Sequence, residues 1–551
     1  MSPLRRRSLA AVIALASLLL GAPGPAAVVA ADPPPGAVAI RSDLVVYGGT
    51  PGGILAAISA ARAGAKVTLL EPTSRIGGMM TNGLSVTDIG DPSTVGGISR
   101  EVFTRIQALE GTSSRDFRVE SHIAEQVFTD LVRLAGVRVR TGERLVRPGG
   151  ARVIDRRITS VTTGSGRRFA ATMFIDASYE GDLLAEAGVS FRIGRESRAA
   201  TGESLAGARP PRRMFRLPTG SSVPPVASMP PGPSGSGDRG IQDSNFRLCL
   251  SSDPANRVAI TAPEGYRAAD YGAVTAYVAE RAAMSGLTPA LDWVLMVKPI
   301  PNGKVDVNDG PGVSLALPGR NWSYPTASAT QRRAIEAAHE RWSRGLLYFL
   351  RADPSVPATI RTRLASYGWC ADEWADHGYF PRLLYLREGR RMVGEATLRQ
   401  DDVTTTRTKA EVVAIGSYRL DSHDVTRWLG EDGHLYEEGW FSSTYQAYAI
   451  PYRVITPRRA EIVDLLVPVA ASATHVAWSS LRMEPHLMLM GEAAGRAAVL
   501  AMAGVKAGGA RPTGSPIPVQ DVSVQALQTA LQAGGSVLQL PIAPAIAAGS
   551  G

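Results

Sequence analysis

The chain is poor in cysteine, lysine, histidine and aromatic residues, and each shortage narrows what it can be. Cys249 and Cys370 are the only cysteines in 551 residues, and no C-x-x-C occurs. That argues against an iron–sulfur cluster, a cysteine-held structural zinc and a C-x-x-C redox pair. The two cysteines could form one disulfide in an oxidising compartment, but they are not a disulfide framework. No H-E-x-x-H and no G-x-S-x-G is present, and no metal site is expected. Lysine is confined to Lys66, Lys298, Lys304, Lys409 and Lys506, so arginine carries nearly all the positive charge. The formal net charge is +9 with 6% aromatics, and there is no dense basic run interleaved with aromatic rings. Nucleic acid is therefore not an expected partner; a mild basic bias at most favours acidic substrates. Beyond the first residues there is no long apolar span, so no stable membrane insertion is expected.

The first residues read as a targeting segment. Arg5-Arg6-Arg7 precedes an apolar run from Leu9 to Leu20, too short to span a bilayer comfortably. Val28-Val29-Ala30-Ala31 is a cleavage region, and Asp32-Pro33-Pro34-Pro35 is an extended linker. Residues 1–31 are thus assigned as a signal peptide, and the mature chain as secreted or extracytoplasmic. Arg6-Arg7-Ser8-Leu9 resembles a reduced twin-arginine signal; a Sec-type segment is the alternative. Removing the three arginines leaves 9 − 3 = +6.

The stretch from Asp43 to Gly83 organises the rest. Leu44 to Tyr47 is a short apolar run ended by glycines, as a buried parallel strand requires. The turn Gly48-Gly49-Thr50-Pro51-Gly52-Gly53 follows, then Ile54, Leu55, Ile58 and Ala61 at helical spacing with small alanines between them. Val67 to Leu70 is the next strand, tipped by Glu71. Strand, glycine turn, helix, strand and acid form the order of a dinucleotide site. Glycines let the backbone approach a pyrophosphate, the helix N-terminus offers N–H groups, and Glu71 can accept from ribose hydroxyls. Thr50 stands where the middle glycine of G-x-G-x-x-G is usual, so its Cβ must be accommodated. A second pair, Arg75-Ile76-Gly77-Gly78-Met79, favours FAD over NAD.

These residues, G-G-T-P-x-G followed by R-x-G-G-M-x-T, resemble the glutathione-reductase-type flavoproteins, specifically the FAD-dependent oxidoreductase family. Some members of that family carry the label xanthan lyase-like. Other blocks resemble it too. Phe174-Ile175-Asp176-Ala177-Ser178-Tyr179-Glu180-Gly181-Asp182 matches a strand returning to the sheet beside FAD, with serine at 178 where threonine is usual; Asp182 is read as an acidic N-cap. Tyr385 to Gly394 matches Y-x-R-E-x-R-R-x-x-G, which is either an anion-recognising arginine set or an Arg387–Glu388–Arg391 surface network. Gly416 to Asp424, containing His423, and Ser472-x-x-His475-Val476-Ala477, Arg482-Met483-Glu484-Pro485 and Gly491-x-Ala493-Ala494-Gly495 complete the match. The resemblance reaches from about Asp43 to Val505.

It implies an α/β fold: a Rossmann-like FAD-binding domain with a β-meander, plus an inserted, mainly helical substrate or cap domain. The boundaries follow composition. Residues 40–198 form the first part of the FAD domain, 199–240 a Pro/Gly-rich loop and 241–410 the insertion. Residues 411–508 form the second part, and 509–551 a tail. Asn302 to Asn308 is a polar, turn-rich piece without the spacing of a calcium loop. The resemblance assigns Gly48, Gly49, Thr50, Pro51, Gly52, Gly53, Glu71, Arg75, Gly77, Gly78, Met79, Asp176, Met483, Glu484, Gly491 and Gly495 to the cofactor. His475 is the first candidate base, Arg482 a stabiliser of reduced flavin or of a substrate anion, and His423 and Arg391 secondary catalytic candidates. The implied function is transfer of a hydride or electron pair from a small-molecule or glycan-like substrate to FAD, then to oxygen or an external acceptor. The alternative is a flavin-containing, polysaccharide lyase-like or carbohydrate-binding protein without net redox turnover.

Overall fold

The computed structural model describes residues 39–112, 117–220, 222–226, 230–405, 407, 409–508 and 513–540. The expected targeting segment lies outside these residues. Strand β1 (Leu44–Tyr47) is fully buried and runs into helix α1 (Pro51–Arg62). Strand β2 (Val67–Glu71) returns parallel to β1, as a strand–helix–strand crossover must. Helices α2 (Gly97–Glu110) and α3 (Ser121–Leu134) follow, and β3 (Arg138–Thr141) adds parallel to β2. The meander is present as β4 (Ala151–Ile154), β5 (Arg157–Thr162) and β6 (Arg168–Ala170), paired antiparallel. Strand β7 (Met173–Asp176) then pairs parallel to the other edge of β1.

The insertion carries the long helix α4 (Ala329–Ala352), opened by a Ser328–Gln331 capping box, and the short α5 (Ala358–Ala365). These helices accompany a five-stranded antiparallel sheet. Its central strands are Leu248–Ser251, Lys304–Asp309 and Gly368–Cys370. The polar piece around Lys304 is thus a strand in this sheet. Cys249 and Cys370 form a disulfide across it. The Pro/Gly-rich stretch is not all loop, since Arg212–Arg216 pairs antiparallel with His434–Glu438.

The chain returns through Leu465–Leu466, parallel to β7, which completes the five-stranded parallel sheet. Helix α6 (His475–Leu481) and helix α7 (Glu484–Ala503) close the cofactor side. Helix α7 lies against α1 at backbone contact. A Cβ on Gly491 would fall 2.0 Å from the Gly52 carbonyl, and one on Gly495 2.1 Å from that of Ala56. Both glycines, expected at the cofactor, seat one helix on the other and so set where the N-terminus of α1 sits. Among the described residues no helix is long and apolar enough to cross a membrane.

Candidate functional site

The first glycine turn is built as the spacing requires. Gly48 has φ +102°, and a Cβ there would meet the Ala177 backbone at 2.6 Å. Thr50 solves its own steric problem by capping α1. Its hydroxyl accepts from Gly53 N–H at 3.1 Å and donates to the Ala177 carbonyl at 2.8 Å. Pro51 occupies the first helical turn, where its missing N–H costs nothing. Glu71 is buried; one carboxylate oxygen accepts from Gly49 N–H and the other from Thr73 N–H, each at 2.7 Å. Burial pushes its pKa up. The acid therefore fixes the turn as well as facing the cleft.

The second glycine pair hydrogen-bonds the first: Gly77 N–H donates to the Gly49 carbonyl at 2.7 Å. Gly77 and Gly78 both have positive φ, and a Cβ on Gly78 would fall 2.4 Å from the Tyr179 hydroxyl. Between the pairs opens a cavity of about 250 Å³ lined by Gly48, Thr50, Glu71, Arg75 and Gly78. Arg332 and Arg382 of the insertion face it from the other side. Arg75 is held at this mouth by Glu125 at 2.7 Å and Asp376 at 3.0 Å. Asp176 is fully buried and serves the turn from behind. It accepts from Ser178 N–H, the Ser178 hydroxyl and Leu184 N–H, while burial raises it to about 6. Asp182 is not an N-cap, because Gly181 takes that position with φ +65°. Its carboxylate instead binds Arg332 at 2.7 Å, Arg390 at 2.8 Å and Arg147 at 2.9 Å.

At the far end of the second turn lies a proton-holding pair. Tyr179 accepts from Met79 N–H at 3.0 Å and donates to Glu484. Glu484 begins α7 directly after buried Met483. Burial pushes its carboxyl up to about 8, so it is largely protonated at neutral pH, and among the described residues its Oε2 has no partner. Arg482 reaches the same place. It donates to the Tyr385 hydroxyl at 2.8 Å and the Asp421 carbonyl at 2.9 Å. Tyr385 packs with Met79 and Leu84.

His475 belongs to a different cluster. Its Nδ1 lies 2.9 Å from Glu388, its backbone N–H donates to Glu196 at 2.9 Å, and its buried Nε2 has no partner among the described residues. Arg391 sits there too, bound to Glu196 at 2.8 Å, Glu388 at 2.9 Å and the Ala473 carbonyl at 2.7 Å. Arg387, Glu388 and Arg391 are wholly buried, so the surface-network reading fails. Their charges are met by protein carboxylates, which a buried guanidinium needs. His423 lies between the clusters. Its Nδ1 is 3.5 Å from Asp243, its N–H donates to Gln242, and burial and then Arg387 depress its pKa well below the ordinary value, leaving it neutral. The Gln242 backbone N–H in turn donates to Glu388 at 3.3 Å, and Glu388 meets His475 Nδ1, so the His423 backbone, not its ring, is linked to His475 through three hydrogen bonds.

Sequence reasoning missed Tyr179, Tyr385, Glu388 and Asp243 as site residues. Tyr179 and Tyr385 stand inside blocks already singled out, but no spacing marks them. Their partners are far away in the chain.

The residues present fit a dinucleotide with a second glycine contact. Gly48 and Gly78 admit no Cβ, a buried acid stands at the end of β2, and a carboxyl oxygen without a partner among the described residues stands at the start of α7. A family model described as FAD dependent oxidoreductase matches residues 43–531. No curated protein sequence matches the chain. Among solved structures, the Diels-Alderase PyrE3 of pyrroindomycin biosynthesis is 15% identical, with 54% of this chain and 51% of that one covered at a TM-score of 0.26. This chain thus spans about half of that protein's length. OxyS, an anhydrotetracycline hydroxylase from Streptomyces rimosus, is 17% identical over 31% and 40% of the two chains, with a TM-score of 0.21. NikD, an amino acid oxidase of nikkomycin biosynthesis, is 15% identical over 33% and 61%, with a TM-score of 0.21.

Proposed function

This chain belongs to the FAD-dependent oxidoreductase family, with FAD as its cofactor, and on that premise we propose that it is an exported enzyme that oxidises a small-molecule or glycan-like substrate. FAD, when bound, supplies the redox chemistry, taking up a hydride or electron pair and later giving electrons to oxygen or an external acceptor. Gly48, Thr50 and Gly78 with the start of α1 would hold its phosphates, and Glu71 its ribose.

The observation that carries the reading is the Met79–Tyr179–Glu484 chain. It joins the second glycine turn to a carboxyl that holds a proton at neutral pH. Glu484 is the group that can hold or release a proton there, while burial and Glu484 keep the Tyr179 hydroxyl protonated. The N-terminus of α7 and Arg482 favour negative charge developing nearby. His475, with Glu388 at its Nδ1, lies in the buried Glu196–Arg391 cluster rather than at the turn. The Cys249–Cys370 disulfide and the basic, then apolar, N-terminal segment together support export.

The test is an anaerobic substrate screen on the purified holoprotein. Bleaching of the oxidised flavin on substrate addition supports the reading. Product formed while the flavin stays oxidised contradicts it and favours lyase-like chemistry.

A further inference from the structure

Among the contacts by which the insertion reaches the cofactor domain is a strap, residues 370–382. It starts at Cys370, bonded to Cys249. Next, Asp372 and Glu373 bind the buried Lys304 ammonium at 2.9 and 3.1 Å. Glu373 also accepts from His122 N–H at 3.0 Å, which ties the strap to α3. Further on, Asp376 pairs with Arg75, and Arg382 N–H donates to the Asn82 side chain at 3.1 Å. The strap therefore grips the second glycine element on both sides.

Trp374 is the centre of this grip. It has φ +48°, a left-handed conformation that is rare for a bulky side chain and strained there. Such strain persists only where the surroundings impose it. Here Trp374 packs with Cys249, Cys370 and Ile300 in a small buried cluster. Its indole Nε1–H donates to the Thr81 carbonyl at 2.9 Å, a buried bond spanning 293 positions. Thr81 ends the turn Gly78–Thr81, and its hydroxyl donates back to the Ile76 and Gly78 carbonyls at 3.1 Å. The Thr81 methyl is also what a Cβ on Gly77 would strike, at 2.1 Å.

We infer that Trp374 is a positioning residue for FAD. The insertion, and not the parallel sheet alone, sets the second glycine turn, through the Trp374 indole N–H held by a disulfide-tethered strap. This rests on the assignment of that turn to the flavin nucleotide.

The experiment is an FAD titration of apoprotein, read by flavin fluorescence, on wild type, Trp374→Phe and Trp342→Phe. Trp342 makes the same kind of bond, 2.7 Å to the Ser314 carbonyl, in the interior of the insertion. Both variants keep an aromatic ring and lose one buried N–H donor. Melting of each apoprotein is recorded alongside. The expected result is FAD affinity weakened about tenfold in Trp374→Phe, the size of one lost hydrogen bond, and unchanged in Trp342→Phe. Unchanged affinity in Trp374→Phe, or equal weakening in both variants, overturns the inference. If wild type itself binds no FAD, the assignment of the turn to the flavin fails, and the inference falls with it.

Discussion

Tyr179 donates its phenolic hydrogen to Glu484, a residue 305 positions later in the chain. That bond closes a three-way junction. Tyr179 stands just after the central sheet, its oxygen accepts from Met79 of the second glycine turn, and Glu484 starts the helix that seats α1. One hydroxyl thus couples the turn, the sheet and the helix start.

The junction has a pH signature. The Glu484 carboxyl moves from an ordinary 4.5 to about 8 because it is buried. The folded chain therefore holds this proton more tightly than the unfolded one. Its contribution to stability is complete below the ordinary value and is lost as pH rises through about 8. Denaturant midpoints of wild type and Glu484→Gln, at about pH 6 and about pH 9, check this. Between those values wild type should lose roughly 1–3 kcal/mol more than the glutamine variant. A parallel decline of both would remove Glu484 as the titrating group.

Gly491→Val is expected to push α7 away from α1. Its Cβ would sit 2.0 Å from backbone, which no rotamer change relieves. A loss of about 1–3 kcal/mol in unfolding free energy is expected, together with weaker FAD retention on gel filtration.

Glu71→Gln and Glu71→Ala separate two jobs of one acid. Alanine leaves the Gly49 and Thr73 amides without their acceptor and should weaken FAD binding by roughly tenfold or more. Glutamine keeps one acceptor oxygen and should fall between alanine and wild type in an apoprotein titration.

Thiol titration of the denatured, unreduced chain should find no free thiol, and reduction should release both cysteines. Cys249 and Cys370 are 121 residues apart, so their bond closes a long loop. The double serine variant should lose roughly 2–5 kcal/mol of stability.

The cofactor half was legible because its signals are contiguous. Strand, turn, helix and acid all fall between Leu44 and Glu71, and the long amphipathic α4 announced itself by periodicity. The sheet of the insertion was not legible. Its strands Leu248–Ser251, Lys304–Asp309 and Gly368–Cys370 are short and lie more than fifty residues apart on average, so roughly no local pattern links them. Burial of Arg387 and Arg391 escaped for a related reason. Their countercharges, Asp243 and Glu196, come from distant segments, and arginine alone reads as surface. Gly491 and Gly495 stand out in sequence, but their seat against α1 is not legible there, because a glycine needed for helix packing looks like one needed for a ligand.

The most direct measurement is the visible absorbance of the purified, folded chain before and after addition of FAD, with the stoichiometry of bound flavin. The account predicts oxidised-flavin bands that stay with the protein through gel filtration, at one FAD per chain. Folded protein that is colourless, and stays so after incubation with FAD, would contradict it.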